Sequence, residues 1–377
     1  MDEYNLKIRL TANGTTTTLD PIVGTPASVA LSDLSPNTDY EVEVVLQRDG
    51  GNTDVASDTE TFRTSSGVDV NTPFYLENLT NNEATFTLTK NGTPTSTDLS
   101  YSLDGDSWSM FDLTAATNTV DVPANGRIYL RSSTGFSYYN PDYFNLNMNQ
   151  NFRVCGNIQY LVYYNYLSSR LSSYCFNKLF YENPNLIDAS SLIIPATPFG
   201  EGCFYYMFYG CSNLTAAPEL PATTLARSCY YNMFYGCTSL TTAPQLPATT
   251  LATTCYNGMF QDCTSLKTAP ELPATTLADR CYERMFRDCT SLITAPILPA
   301  TTLVNDCYSA MFYNCTNLQS ITTYVTDWNT DYTGAWLTSA GNNATNPTIY
   351  CPANSTLKDY TRNSSGIPSN WVQVDLP

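Results

Sequence analysis

The chain of 377 residues contains no histidine. That absence removes the commonest general base, the usual partner of a catalytic serine or cysteine, and the commonest zinc ligand. The chain is therefore read as a non-enzyme with no metal and no cofactor. Cations are scarce too: 17 Lys and Arg stand against 34 Asp and Glu. Such a balance leaves little to attract nucleic acid or an anionic membrane surface. No run of about 18 apolar residues occurs, so membrane insertion is not expected. The start, MDEYNLKIRL, has neither the basic residues nor the apolar stretch of a signal peptide, and export by the usual route is not expected either.

What is present is apolar content of 42%, enough for ordinary cores, and an abundance of Thr, Asn, Ser and Tyr. Residues 1–66 read as strands. Tyr4, Leu6, Ile8 and Leu10 alternate ahead of Asn13-Gly14, a hairpin signal. The segment LSDLSPNTDYEVEVVL, with Leu34 and Tyr40 at a corner and Val42, Val44 and Leu46 alternating after it, resembles the corner and penultimate strand of a fibronectin type III domain. The resemblance begins at the family's third strand and implies a sandwich without its first two. The open sheet edge would be completed by another chain or a preceding segment. Residues 67–150 read as a second small β-sandwich, from FYLENL to NTVDVPANGRIYLRSS. Within it Asp104 and Asp106 fit a turn better than a calcium loop, which needs further spaced carboxylates.

From residue 151 the pattern becomes a repeat. Five units begin at Cys203, Cys229, Cys255, Cys281 and Cys307, each 26 residues after the last. A looser unit starts at Cys175, with Leu179, Phe180 and Leu186 at matching places and two extra residues before Cys203. Residues 151–202 are expected to cap one end of a solenoid, 203–320 to form its repeats and 321–377 to cap the other end. Positions are counted here from the first cysteine of each unit. On a helix, positions 1, 2, 5, 6 and 9 fall within an arc of about 140°, and the variable positions 3, 4, 7 and 8 lie opposite. A helix over the first nine residues is expected, with its fixed letters facing in. The prolines of LTTAPQLP exclude a helix there and predict extended segments stacked as a short parallel ladder.

Thirteen cysteines raise the questions of metal, disulfide and catalysis. No CxxC pair occurs and histidine is absent, which disfavours metal. The two cysteines of one unit would lie about 12 Å apart along a helix, too far for a disulfide. Equivalent cysteines of neighbouring coils have parallel Cβ vectors, and nothing repeated five times in a core looks like one catalytic site. The expected role is packing, with Cys203, Cys211, Cys229, Cys237, Cys255, Cys263, Cys281, Cys289, Cys307 and Cys315 as reduced, buried thiols beside core residues such as Met233, Phe234 and Leu240.

The pattern CYxxMFxxCTSLxTAPxLPATTLA and the closing SGIPSNWVQV resemble the surface-protein type of bacterial leucine-rich repeat found in gut Bacteroidales and in their phages. The fold class expected is therefore multidomain: two small all-β sandwiches followed by a leucine-rich-repeat solenoid of helix and short extended segment. Function is then expected on the outward positions. Tyr205, Tyr206, Tyr209, Tyr231 and Tyr235 form one candidate binding set, and Glu283, Arg284 and Arg287 a charged one. Tyrosine offers flat, amphipathic contact area, although the same rings could simply tile the surface. The reading is a structural or attachment protein, either a phage virion surface component such as a head or tail fibre, or a bacterial adhesin. Its partners would be other virion or surface proteins through residues 1–66, a host-surface protein or glycan through the solenoid, and further copies of itself in a homo-oligomer. A glycan-acting enzyme lacks the necessary carboxylate pair.

Overall fold

The computed structural model describes residues 4–12, 15–18, 39–48, 54–63, 71–93, 98–133, 142–163, 171–196, 198–328, 332–359 and 367–376. The chain divides into two compact units, Met1–Asp69 and Val70–Pro377. In the first unit β1 (Tyr4–Ala12), β2 (Thr15–Thr18), β3 (Asp39–Arg48) and β4 (Asp54–Arg63) form one antiparallel sheet in the order β2-β1-β3-β4. The alternation read in the sequence sets the register, with Leu6 opposite Leu46, Ile8 opposite Val44 and Leu10 opposite Val42. Asn13, Gly14 and Leu34 lie outside the described residues; Tyr40 stands opposite Phe62 in the β3–β4 pair.

The second unit opens with β strands whose buried and exposed residues alternate: β5 (Tyr75–Asn78), β6 (Ala84–Asn91), β7 (Ser100–Ser102), β8 (Ser109–Met110), β9 (Thr117–Val122), β10 (Arg127–Arg131), β11 (Tyr143–Met148) and β12 (Phe152–Asn157). Together with β13 (Leu186–Ile193) they form two sheets, β13-β12-β5-β10-β7-β8 and β11-β6-β9, with Leu76, Phe86, Ile128, Leu130, Phe144, Leu146 and Val154 fully buried. The larger sheet does not stop at the sandwich. Its last strand, β13, pairs parallel with β12 and is the extended segment of the first coil. Parallel bridges Asp188↔Ala216, Thr242↔Thr268 and Thr268↔Thr294, all at position 14, continue the ladder along the repeats, and Thr224↔Thr250 joins position 22 of two neighbouring coils. It widens again into a parallel sheet of β14 (Thr294–Leu298), β15 (Ser320–Thr323), β16 (Thr348–Pro352) and β17 (Val372–Leu376). One continuous core runs from Phe74 to Trp371.

The expected repeat helices are not there. The one α-helix among the described residues is Tyr160–Tyr163, and the first nine residues of each repeat form a ribbon of overlapping turns instead. Amide groups at odd positions donate three residues back within the coil, as from Tyr205 to Gly202 (3.0 Å) and Tyr209 to Tyr206 (3.2 Å). Amides at even positions donate to the next coil, as from Phe204 to Cys229 and Phe208 to Met233, both 2.9 Å. Backbone polarity is thus satisfied half within and half between coils. The chain turns by visiting the left-handed region at positions 0, 4 and 8. In the unit at Cys281 these are Arg280, Arg284 and Asp288, with φ of 54°, 56° and 61°. This ribbon has a period of four, with two residues in and two out. Cys281, Tyr282, Met285, Phe286 and Cys289 are buried while Glu283, Arg284, Arg287 and Asp288 are partly or largely exposed. The inward set matches the helical expectation because periods of 3.6 and 4 select the same positions over nine residues.

Inside, equivalent rings stack coil on coil. Phe180, Phe208, Phe234, Phe260, Phe286 and Phe312 make one column at 5.4–5.8 Å. Phe176, Phe204, Tyr230, Tyr256, Tyr282 and Tyr308 make a second at 5.5–6.1 Å. All thirteen cysteines are buried. Met233, Phe234 and Leu240 are fully buried beside them.

Candidate binding surface

Position 7 is partly exposed in every coil and position 3 in the coils at Cys203 and Cys229, so a residue type repeated there becomes a column on the surface; at position 3 of the looser unit and of the coil at Cys255, Asn177 and Asn257 are buried instead. At position 7 Tyr181, Tyr209 and Tyr235 stack face to face at 4.9 and 4.5 Å, with ring planes 11° and 10° apart. At position 3 Tyr205 and Tyr231 stack at 4.7 Å and 12°. Tyr206 stands edge-on between the two columns, 4.4 Å from Tyr205, 5.2 Å from Tyr209 and 5.6 Å from Tyr231. The five tyrosines named from the sequence therefore form one cluster, all partly exposed.

The structure adds four members. Tyr174 meets Tyr205 edge-on at 6.0 Å, and Tyr181 extends the position 7 column. The Nζ atom of Lys178 lies over the rings of Tyr143, Tyr181 and Tyr206 at 4.7, 5.2 and 5.8 Å. A cation so placed is attracted by the ring quadrupoles and ties the three together. Tyr181 and Lys178 stand at positions 7 and 4 of the looser unit, so the repeat numbering could have found them. Tyr143 comes from β11 of the sandwich, and no local pattern announces it.

The hydroxyls of Tyr181, Tyr205 and Tyr235 hold their protons more tightly than an ordinary tyrosine does. Burial, and then Glu182, push Tyr181 up to about 12. Tyr235 is raised first by a hydrogen bond to the Asp262 carboxylate and then by burial. Tyr205 is raised by burial and by Tyr206 beside it. Since the ring faces are spent on one another, the cluster presents edges and hydroxyls in a fixed array.

Glu283, Arg284 and Arg287 do not join this cluster. One coil separates them from it, and they engage one another and their neighbours. Arg284 lies 3.3 Å and Arg280 3.9 Å from Glu283, while Asn257 donates to Glu283 at 2.8 Å. Arg287 pairs with Asp288 at 3.1 Å and lies 4.6 Å over the ring of Tyr313. Exposed pairs of this kind contribute little to stability, roughly 0–1 kcal/mol each. Asp104 serves its turn, its Oδ1 accepting from the amides of Asp106 and Ser107 at 2.9 and 2.8 Å. Those bonds hold its carboxyl well below the usual range.

Residues 147–267, 178–294 and 203–331 match the BspA type leucine-rich repeat region, in six copies. Repeats similar to that type therefore span residues 147–331, in a mostly β and almost helix-free arrangement. Such repeats are typical of surface and adhesion proteins. No curated protein and no solved structure gives a significant match.

Proposed function

We propose that this chain is a non-enzymatic attachment protein whose repeat stack presents the tyrosine cluster to a host-surface protein or glycan. The observation that carries the reading is the cluster itself. Rings already ordered by stacking lose little conformational freedom on binding, and their hydroxyls are fixed donors and acceptors. In the finer form of the proposal the chain is a phage virion surface protein, of the head or a tail fibre. The other form is a bacterial cell-surface adhesin.

The first unit is the proposed anchor to other virion or surface proteins. Its sheet order supports the sandwich reading: if β1, β3 and β4 are strands C, F and G, they lie side by side as in immunoglobulin-type sandwiches. The described part supplies a single sheet with β2 and β4 at its edges, which suits completion by a second chain and assembly as a homo-oligomer.

The test combines Tyr205→Ser, Tyr209→Ser and Tyr235→Ser in one variant. Binding to intact host cells is expected to fall at least tenfold while the thermal transition is kept. Unchanged binding by the folded variant removes the tyrosine face from the proposal. Mass spectrometry of purified phage particles against outer-membrane fractions separates the two locations.

A further inference from the structure

The geometry points to a disulfide cross-link between Cys175 and Cys203, made by exchange with a low-molecular-weight disulfide, that staples the first coil to the repeats. The two sulfurs lie 3.1 Å apart in the fully buried core. Their backbones are held in place by the amide of Phe176 donating to the carbonyl of Cys203 at 2.9 Å and that of Tyr174 donating to Glu201 at 2.8 Å. Reaching a bond length of about 2.05 Å needs roughly 1 Å of further approach.

This junction differs from the others. The two cysteines are 28 residues apart, whereas later equivalents are 26 apart. The longer connection carries Phe199, which packs edge-on at 5.1 Å against Phe204, the residue after Cys203, and at 5.9 Å against Tyr230 of the next coil. At this junction the two sulfurs meet at 3.1 Å, although equivalent cysteines on neighbouring coils are expected to point side by side. The second cysteine column is not poised in this way, because its thiols point at carbonyl oxygens.

The chemistry balances in two steps. The Cys175 thiolate attacks one sulfur of the oxidant, forming a mixed disulfide and releasing one small thiolate. The Cys203 thiolate then attacks the Cys175 sulfur, the protein disulfide forms, and the second small thiolate leaves. The two cysteines together give up two electrons, the oxidant becomes two thiols, and the protons from the cysteines end on those thiols. Burial raises the Cys203 thiol well above its ordinary value, so exchange takes place while this coil is open, during folding or in a brief local opening. The bond then closes a 28-residue loop and restricts the unfolded chain.

The experiment incubates the full chain with oxidised and reduced glutathione in urea just below the unfolding transition, alkylates, digests with trypsin and maps the peptides. Cleavage after Arg170 and Lys178 isolates Cys175 on one short peptide, while Cys203 and Cys211 share the peptide ending at Arg227 and are separated by fragmentation. The expected product links Cys175 to Cys203 with the other cysteines alkylated. Its thermal midpoint should rise by a few degrees, a rise absent in Cys203→Ala and kept in Cys229→Ala. Complete alkylation of all cysteines, glutathione adducts alone, or links scattered among the repeat cysteines overturns the proposal. If Cys203→Ala does not fold, the peptide map of the unsubstituted chain decides alone.

Discussion

At position 9 the sulfurs of Cys211, Cys237, Cys263, Cys289 and Cys315 lie 3.0–3.2 Å from the carbonyl oxygen of position 6 in the coil before. That oxygen already accepts the amide of its own coil's position 9, as Phe234 does from Cys237 at 3.1 Å, so the thiol takes its second lone pair. The first coil has Asn183 at this place, and its Nδ2 donates to Leu146 of β11 at 3.0 Å. A donor at position 9 therefore fastens each coil to the layer preceding it, including the sandwich. Cys263→Ala removes both this bond and apolar filling, and is expected to cost about 1–2 kcal/mol in urea unfolding. Gln261→Ala, on the outward side of the same coil, should stay within about 0.5 kcal/mol. The burial of these cysteines was legible because fixed letters face in and changing letters face out. Their role as donors was not, since nothing in a one-dimensional repeat says which atom lies above a thiol.

Each coil rests on a left-handed residue every fourth position, and this is where the expectation of a helix parts from the structure. Nine residues are too few to separate a period of 3.6 from one of four, and Met, Phe, Tyr and Cys are compatible with either. The signal available was the changing set at positions 4 and 8, which includes Gly258, Gly210 and Gly236, residues at ease with positive φ. Two substitutions of opposite sign test the ribbon. Ala310, at φ 50°, bears the cost of a Cβ in the left-handed region, so Ala310→Gly should gain about 0.5 kcal/mol despite the looser unfolded chain. Gly236, at φ 70°, has no such cost, and Gly236→Ala should lose about 1 kcal/mol. In a true helix both signs reverse, and far-ultraviolet circular dichroism would carry the helical double minimum that this fold should lack.

Across the whole second unit, strand alternation and the repeat period gave the order of sandwich and stack, while the joint between them came from pairings no local pattern contains. β12 lies between β5 and β13, and β11 receives Asn183 and the Tyr143 side of the cation cluster. The resulting uninterrupted core has a collective consequence for pH. Burial is the first cause that pushes Cys211 and Cys255 up to about 12 and Cys307 to about 11. It also raises Cys229, Cys237, Cys281, Cys289 and the phenols of Tyr230, Tyr256, Tyr282 and Tyr308 well above their ordinary values. Below about pH 8 these groups are protonated in both folded and unfolded chains, so stability there does not depend on them. Above the ordinary thiol value of 9.0 the unfolded chain releases protons that the folded chain retains, and stability falls as pH rises. Each such thiol costs about 1.4 kcal/mol per pH unit. Several acting together exhaust a typical stability of about 5–15 kcal/mol within one or two units. The urea midpoint, measured with reductant present, should therefore be level from about pH 6 to 8 and collapse between about 9 and 11. A midpoint still level at about pH 10.5 would mean that the repeat thiols ionise in the folded chain, and that the core is not closed to water along its length.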